Sequence, residues 1–575
     1  MSPAAIPFLA GLDPAVASAV GRRFASVAVA GGVPVFEQGE EGDALYILVS
    51  GAVGISARDP RDGQTRRLAR LTPPEAFGEM ALLSHEPRSA TATALRDTHL
   101  LRLGRSAFEE IVAEHPSTLL YVARLLAERL RVASGGHAFD HPPRSFAVLA
   151  VTDGPDAVAF GHGLARAFDE ALPGTTGCLT DWPEGADETW FHEYETRHAR
   201  TIFVAHRVTD CPWCKLCLRH ADHILLLAEP ETPPRPGAAA CIEPLRSAWI
   251  QIDLAIRQPA GASLPRPLHP AVAALPSSMR IQVRDGSVRD RARLARLAIG
   301  KARGLVLGGG GARGLAHLGV LEALAEADFP VDFVGGTSMG AIVAASVAMD
   351  LGPAEIRDRM EATFVGRNPL NDYTLPFHAL TRGVKVDAAL RESFGTARIE
   401  ELWLPYLCVS SNLTTGAAMV HRKGDLATAL RASIAIPGLL PPVVSEEGIL
   451  VDGGMMNNLP ADVMAGLGRG PVLAIDVGSD RAFTGMPERS WTGHLVRRLL
   501  GLPDAMPGIA PLLLRAATVS SDAQTMMSVS RATVVLKPPL EGVDLRDWSS
   551  FATTAALGYR CTREAIDAKG LEGWA

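Results

Sequence analysis

Four consecutive glycines at positions 308–311 are the feature that most restricts how this chain can fold. They interrupt residues 305–314 (LVLGGGGARG), where an apolar run is followed by a segment that resumes as a helix. Such a run predicts a strand, a tight turn and a helix, because glycine permits backbone conformations and close approaches that other residues do not. The N–H groups of such a turn have no side chains covering them and attract negative charge. The segment therefore predicts an anion-binding turn.

A second strand-turn-helix segment follows at residues 331–345 (VDFVGGTSMGAIVAA). Gly336 and Gly340 bracket Ser338, and this spacing is typical of a nucleophile elbow, in which a sharp turn after a strand exposes a serine hydroxyl. An anion-binding turn beside an exposed serine predicts acyl transfer, with Ser338 as the nucleophile.

The residues around the glycine turn receive separate roles. The N–H groups of Gly309, Gly310 and Gly311 are predicted to form the oxyanion hole that stabilises the tetrahedral intermediate. Arg313 is predicted to brace this loop, with contact to a substrate phosphate as the alternative. His317, one helical turn further on, is predicted to pack within its helix and to take no part in catalysis.

A serine nucleophile needs a base, and the sequence favours Asp452 over a histidine. After Asp452 the chain contains only one histidine, His494, in a helical pattern unlike a catalytic loop. Asp452 ends an apolar strand pattern at residues 448–451 and is followed by two glycines. We therefore expect a Ser338–Asp452 dyad, in which desolvation raises the pKa of the carboxyl group enough for it to accept a proton near neutral pH. No metal or other cofactor is expected to be required for catalysis.

Three motifs occur in a fixed order: GGGGARG at 308–314, GTSMG at 336–340 and DGGMMNNLP at 452–460. Together they resemble the patatin-like phospholipases, and more narrowly the neuropathy-target-esterase-like lysophospholipases. The resemblance implies an α/β patatin-like domain at residues 300–575. It also implies hydrolysis of a lysophospholipid or phospholipid carboxylic ester through an acyl-enzyme on Ser338. Activity on neutral lipids or short-chain esters by the same dyad is the alternative.

Short apolar runs separated by Gly and Asp predict a β-roll with flanking helices at residues 1–140. Within it, residues 77–90 (FGEMALLSHEPRSA) resemble the phosphate-binding cassette of cyclic-nucleotide-binding domains. Gly78 opens the turn, Glu79 would accept from a ribose hydroxyl and Arg88 would pair with the cyclic phosphate. Ser89 stands where a hydroxyl reaches guanine in relatives that bind cGMP, so cAMP and cGMP both stay open. The alternative to nucleotide binding is that Glu79 and Arg88 form a structural pair. The alternative to an enzyme is a non-enzymatic, nucleotide-responsive interaction protein.

Strand and helix patterns alternate in residues 144–275 and predict a Rossmann-like α/β scaffold with a parallel sheet. The turn after its first strand has neither the P-loop lysine nor the dinucleotide glycines. Cys211, Cys214 and Cys217 have the spacing of a redox or zinc motif together with nearby histidines. Because Cys214 and Cys217 also fall at helical spacing, we favour core packing for them.

Composition limits the classes of partner. The chain is 47% hydrophobic and 21% charged, with a net charge of −7, which predicts a globular protein that does not bind nucleic acid. No apolar stretch reaches the roughly 20 residues that span a bilayer. Seven cysteines, an odd number, favour reduced thiols and a cytoplasmic location, with peripheral contact to the inner membrane face as an open possibility.

Two apolar, proline-broken loops at residues 370–380 and 434–443 are predicted to line an acyl groove or to rest on a bilayer, with core packing as the equal alternative. Residues 495–503 and 509–514 form a further amphipathic pattern. The head group, the acyl position and the oligomeric state cannot be derived from these patterns.

Overall fold

The computed structural model describes residues 21–58, 65–80, 86–115, 143–208, 211–243, 250–375, 379–478 and 524–574. The amphipathic patterns at 495–503 and 509–514, most of the predicted N-terminal helix and the helical pattern beyond residue 115 lie outside these ranges. The described chain forms two compact units, one of residues 1–257 with 268–279 and the other of residues 258–267 with 280–575.

The first unit begins with the predicted β-roll. Its strands are β1 Ala25–Val29, β2 Pro34–Phe36, β3 Ala44–Ser50, β4 Val53–Arg58, β5 Thr65–Leu71, β6 Ala76–Phe77, β7 Thr91–Ala94 and β8 Thr98–Gly104, followed by helix α1 Arg105–Glu114. They form two antiparallel sheets with the orders β1-β8-β3-β6 and β2-β7-β4-β5. Apolar side chains alternate toward the space between the sheets, so the core is enclosed by both.

The remainder of this unit is a parallel sheet with connecting helices. The strands are β9 Ser145–Ala150, β10 Thr176–Leu179, β11 Arg200–Ala205, β12 His223–Ala228 and β13 Gln251–Gln258. The helices are α2 Ala157–Ala171, α3 Glu188–Arg197, α4 Pro212–His220, α5 Ala238–Ile242 and α6 Pro270–Ala273. The strand order is β10-β11-β9-β12-β13, with every neighbouring pair parallel. Its strands are buried apolar runs, as expected for a sheet covered on both faces. Its description as Rossmann-like stays a prediction, as do the three domain boundaries.

The second unit contains the motifs at 308–314, 336–340 and 452–460. Its strands are β14 Met279–Arg284, β15 Gly304–Leu307, β16 Phe333–Thr337, β17 Tyr406–Asn412, β18 Ala417–His421, β19 Val443–Ser445, β20 Gly448–Asp452, β21 Val472–Ile475 and β22 Val534–Leu536. Its helices are α7 Val288–Ala298, α8 Ala316–Glu326, α9 Met339–Ala348, α10 Pro353–Glu361, α11 Val384–Phe394, α12 Leu426–Ser433, α13 Ala461–Ala465 and α14 Phe551–Lys569.

The strand order of the main sheet in this unit is β19-β20-β17-β16-β15-β21-β22, with β18 on β17. Strands β17, β16, β15, β21 and β22 run parallel, whereas β20 runs antiparallel to β17. The loops after β15 and β16 therefore leave the same edge of the sheet, where parallel α/β sheets hold their ligands. In no described part of the chain is a helix long and apolar enough to cross a membrane.

Helices α8 and α14 cross at two glycines, which fixes the C-terminal segment against α8. A Cβ atom at Gly319 would overlap the carbonyl oxygen of Ala555, and one at Gly558 would overlap that of Ala316. The two backbones therefore approach more closely than any side chain permits. This contact places the segment just before α14 within reach of the glycine turn.

Candidate active site

Ser338 lies in a strained turn between β16 and α9. Its φ angle is +54° and its ψ angle is −124°, a conformation that costs free energy for a residue with a side chain. Cβ atoms at Gly336 and Gly340 would clash with the carbonyl oxygen of Leu307, so both bracketing positions require glycine. The turn thus holds the Ser338 side chain at the edge of the sheet.

The register of the sheet places Asp452 beside Ser338. Thr337 pairs with Val409 on β17, and Asp452 pairs with Ser410, the next residue of the same strand. The Ser338 hydroxyl donates to Asp452 Oδ2 over 2.7 Å, although the two residues are 114 positions apart. The two candidate catalytic residues are therefore in direct contact.

Burial sets the electrostatics of this pair. Ser338 and Asp452 are 7% and 6% exposed. Desolvation raises the pKa of Asp452 from 3.8 to about 6, and its hydrogen bonds from Ser338 and from the N–H of Gly454 oppose the rise. The Gly454 N–H donates to Asp452 Oδ1 over 2.7 Å and leaves Oδ2 directed at the hydroxyl. A carboxyl group with this pKa is ionised and still appreciably basic at neutral pH.

The glycine turn lies against the nucleophile, but one of its three predicted donors is already used. A Cβ atom at Gly309 would stand 3.1 Å from that of Ser338. The Gly309 N–H donates to the carbonyl oxygen of Asn458 over 3.1 Å, and Asn458 Nδ2 donates back to the Gly309 carbonyl oxygen over 3.0 Å. Gly310 and Gly311 begin a short helical turn, and among the described residues their N–H groups meet no backbone or side-chain acceptor. These two remain the oxyanion donors that we propose.

Arg313 and His317 fix the turn from its far side. Arg313 is 9% exposed, and its Nε donates to the carbonyl oxygen of Val543 over 2.7 Å. His317 is fully buried, and because a carbonyl oxygen only accepts, its Nε2 carries the proton that it shares with Gly308 over 2.8 Å. Burial lowers the pKa of His317 to about 4, so the ring is neutral at neutral pH. Both side chains hold the loop in place.

A cavity of about 990 Å³ opens at Ser338. Both apolar loops predicted from the sequence contribute to its lining, through Leu370, Ala379 and Leu380 from the first and Ile434, Leu439 and Leu440 from the second. Residues 376–378 of the first loop lie outside the described ranges. The aromatic rings of Phe364 and Trp548 stack in the lining with centroids 4.7 Å apart. The lining is mainly apolar, as expected of a site that accepts a hydrocarbon chain.

Three contributions to this site are absent from the sequence-based predictions. Ser433, the last residue of α12, accepts a hydrogen bond from the Ser338 N–H over 3.0 Å and donates to Val409. Asn458 pairs with Gly309 as described above. The Leu545 carbonyl oxygen accepts from the Ala312 N–H over 2.8 Å. Only Asn458 had a signal, because it lies within the DGGMMNNLP motif.

The nucleotide-site residues lie in the β-roll. Arg88 is 3% exposed and donates to the carbonyl oxygens of Gly78, over 2.8 Å, and Ala44, over 2.9 Å. Its guanidinium carbon lies 4.1 Å from the centre of the Phe36 ring. The protein thus already orients the arginine, whose ion pair in the described part of the chain is a 3.4 Å contact with the exposed carboxylate of Asp43.

Glu79 and Ser89 differ in exposure. Glu79 is 2% exposed, whereas Ser89 lies on the surface. Residues 81–85 of the cassette lie outside the described ranges.

The cysteine motif occupies the start of α4. Cys211 precedes the helix, and its sulfur accepts from the Cys214 N–H over 3.4 Å. Cys214 and Cys217 are buried in the core under the parallel sheet. The two histidines that could complete a metal site instead bond to carboxylates, His220 to Glu195 and His223 to Asp253, and no metal-binding group of three side chains occurs in the described part of the chain.

Two parts of this chain match models of known protein families. The model of the patatin-like phospholipase family matches residues 305–465, and that of the cyclic nucleotide-binding domain matches residues 27–115. A Mycobacterium tuberculosis protein described as an uncharacterized NTE family protein is 30% identical, over 93% of this chain and 91% of its own length. The chain belongs to the NTE family. The predicted relationship to neuropathy-target-esterase-like proteins is thereby confirmed.

Further relatives in this family carry names that state an activity. The lysophospholipase NTE1 of Coccidioides immitis (strain RS) is 29% identical over 95% of this chain. This chain spans 40% of the length of that fungal NTE-family relative. Among solved structures, the catabolite activator protein of Thermus thermophilus is 33% identical over 29% of this chain and 68% of its own, with a TM-score of 0.22. The cyclic-nucleotide-binding type of the β-roll thus rests on the family model and not on that superposition.

The raised pKa of Asp452 predicts a pH-dependent gain of stability in Asp452→Asn. Ionising the buried carboxylate costs folding free energy that is absent below the ordinary pKa of 3.8 and fully present above about pH 6. Asparagine removes this cost. We therefore expect the free energy of unfolding to rise by up to about 3 kcal/mol at pH 7.5, and by roughly a third of that value at pH 4.5. Urea unfolding at both pH values measures this change in free energy, and the exposed Asp358→Asn serves as the control. Equal gains at the two pH values would contradict the assigned burial cost.

Proposed function

We propose that this NTE-family chain is a serine esterase that hydrolyses the carboxylic ester of a lysophospholipid or phospholipid. The observation that carries the proposal is the 2.7 Å hydrogen bond from Ser338 to Asp452 at the opening of a large apolar cavity. The names of the fungal relatives support the choice of a phospholipid over other esters. No cofactor takes part in the steps that follow.

In the first half-reaction, the Ser338 oxygen attacks the ester carbonyl carbon while Asp452 Oδ2 accepts the hydroxyl proton. The carbonyl oxygen becomes an oxyanion, which the N–H groups of Gly310 and Gly311 stabilise from the helical turn that they begin. The tetrahedral intermediate then expels the alcohol, which takes the proton from Asp452. The acyl group remains on Ser338 with its hydrocarbon chain in the cavity.

In the second half-reaction, Asp452 activates a water molecule by the same proton transfer. The water oxygen attacks the acyl carbon, the oxyanion forms again on the glycine turn, and Ser338 leaves with the proton held by Asp452. The products are a fatty acid and the regenerated dyad. A neutral His317 anchored on Gly308 takes no proton in either half-reaction, consistent with its predicted packing role.

A substrate panel tests this proposal. Lysophosphatidylcholine, phosphatidylcholine, monoacylglycerol, triacylglycerol and a short-chain p-nitrophenyl ester separate lysophospholipase activity from neutral-lipid and short-chain esterase activity. We expect phospholipid hydrolysis. Its kcat/KM should decrease as the pH is lowered through about 6, because Asp452 becomes protonated. Asp452→Asn should lower kcat by about 10³–10⁴-fold.

Ser338→Ala serves as the inactive control for that panel. Hydrolysis of only the neutral or short-chain esters would replace the phospholipid assignment by the alternative esterase activity. Absence of hydrolysis for every ester, together with no reaction of Ser338 with a fluorophosphonate, would favour a non-enzymatic, nucleotide-responsive interaction protein.

Peripheral binding to a lipid surface is part of the proposal, because exposed apolar side chains adjoin the cavity. Tyr373 and Leu375 are 71% and 72% exposed, and Leu380, which lines the cavity, is itself half-exposed. Such side chains on one loop lower their free energy by entering the acyl region of a bilayer. We expect Leu375→Asp to reduce co-sedimentation with phosphatidylcholine vesicles several-fold, whereas Val444→Asp, exposed on β19, should not. Equal losses for both variants would contradict this assignment.

Cyclic-nucleotide binding by the β-roll is proposed from the family match at residues 27–115 and from the pre-oriented Arg88. Within the described residues, Arg88 forms its ion pair with the exposed Asp43 carboxylate, and a bound phosphodiester would add a second anionic partner. Calorimetry should show binding of cAMP or cGMP. Ser89→Ala should lower the affinity for cGMP by about fivefold and leave the affinity for cAMP unchanged. No heat from either nucleotide at millimolar concentration would end the proposal. Repeating the substrate panel with each nucleotide tests regulation.

A further inference from the structure

We propose that Arg546 forms a phosphate-binding subsite at the mouth of the cavity beside Ser338. This inference rests on the proposed esterase function and deepens it, because it assigns the contact that distinguishes a phospholipid from a neutral ester. The ligand class is a phosphomonoester or phosphodiester anion attached through glycerol to the ester that is hydrolysed.

The first argument is position. The segment of residues 543–548 lies on the glycine turn, through the hydrogen bonds from Ala312 to Leu545 and from Arg313 to Val543. A Cβ atom at Gly311 would overlap the Leu545 carbonyl oxygen, so this backbone directly adjoins the proposed oxyanion site. Arg546 is the next residue and lines the cavity together with Gly311 and Ser338. Arg546 therefore belongs to the same cavity as the nucleophile.

The second argument is availability. Arg546 is exposed, and within the described ranges its guanidinium makes no hydrogen bond and no ion pair. Arg313, the other cation of this region, is 9% exposed and is held by Val543. The sequence left a phosphate contact by Arg313 open, but the geometry points to Arg546 as the cation that can receive a ligand.

The third argument is the charge of the lining. Arg546, Arg359 and Asp544 are the charged side chains that the described cavity presents. Arg359 is on α10 and donates to the exposed Glu355 over 2.6 Å, a surface pair that is weak and easily exchanged. Asp544 Oδ1 accepts the backbone N–H of Arg546 over 2.9 Å and so orders this turn. The three lining charges sum to one positive charge.

A stacked aromatic pair in the lining is close in sequence to both arginines. Phe364 follows Arg359 by five residues, Trp548 follows Arg546 by two, and the two rings stack at 4.7 Å. This aromatic contact joins the chain segments that carry the two cations. A guanidinium presents paired donors that match the oxygen atoms of a phosphate, and an arginine at an apolar opening can bind the head group while the acyl chain enters the cavity.

A ratio of specificities tests the subsite. The kcat/KM for lysophosphatidylcholine is divided by that for a monoacylglycerol with the same acyl chain, in the full-length protein. We expect Arg546→Gln to lower this ratio about tenfold, and Arg546→Lys to restore part of it by keeping the charge. The matched control is Arg531→Gln, which removes an exposed arginine of the same unit that does not line the cavity.

A binding measurement separates this inference from the esterase proposal. An ether analogue of lysophosphatidylcholine cannot be hydrolysed. Its dissociation constant is measured for the unchanged protein and for Arg546→Gln. A tenfold weaker affinity supports the subsite even if no ester is hydrolysed, which would sink the proposed function alone. An unchanged ratio and an unchanged affinity in an active, folded variant would overturn the subsite and leave the esterase standing. An equal loss in Arg531→Gln would overturn it as well.

Discussion

The candidate site depends on one buried hydrogen bond, from the Ser338 hydroxyl to the Asp452 carboxylate. The contact requires a serine held at a positive φ angle and a carboxylate removed from water. Each requirement costs folding free energy, the first through backbone strain and the second through desolvation. The surrounding sheet offsets both costs, because the register on β17 fixes the two residues at neighbouring positions. The same burial that is unfavourable for folding gives the carboxylate its basicity.

The glycine turn beside this pair is fixed by one nearby residue and by two distant parts of the chain. Asn458 holds Gly309, His317 holds Gly308, and the segment around Leu545 holds Ala312. A turn anchored in this way keeps its free N–H groups oriented before a substrate arrives, so little reorganisation is needed when the oxyanion forms. The four glycines leave room for this packing, and the anchors supply its rigidity.

Much of this arrangement could be predicted from the sequence, because its local chemistry is unambiguous. A glycine run after an apolar strand, a serine between spaced glycines and an aspartate at a strand end each have few structural solutions. For the apolar loops at 370–380 and 434–443, the sequence left an acyl groove, a bilayer surface and core packing open, and residues of both loops line the cavity beside Ser338.

What the sequence could not supply are contacts between distant residues of ordinary type. Nothing around Ser433 indicates that its hydroxyl supports the Ser338 backbone, and Leu545 has no pattern that links it to the glycine turn more than 200 residues earlier. The prediction that three glycines share the oxyanion role also could not anticipate that Asn458 occupies the Gly309 N–H. Such contacts follow from strand order and helix packing, which local spacing does not specify.

The central claim is that Ser338 carries the acyl group during turnover, with Asp452 as its only base. Mass spectrometry of the protein quenched in acid during turnover measures this most directly. The account predicts a mass increase equal to one acyl group on the peptide that contains Ser338. It also predicts no adduct in Ser338→Ala and slower formation of the adduct in Asp452→Asn. An acyl group on another residue, or turnover that persists in Ser338→Ala, would contradict it.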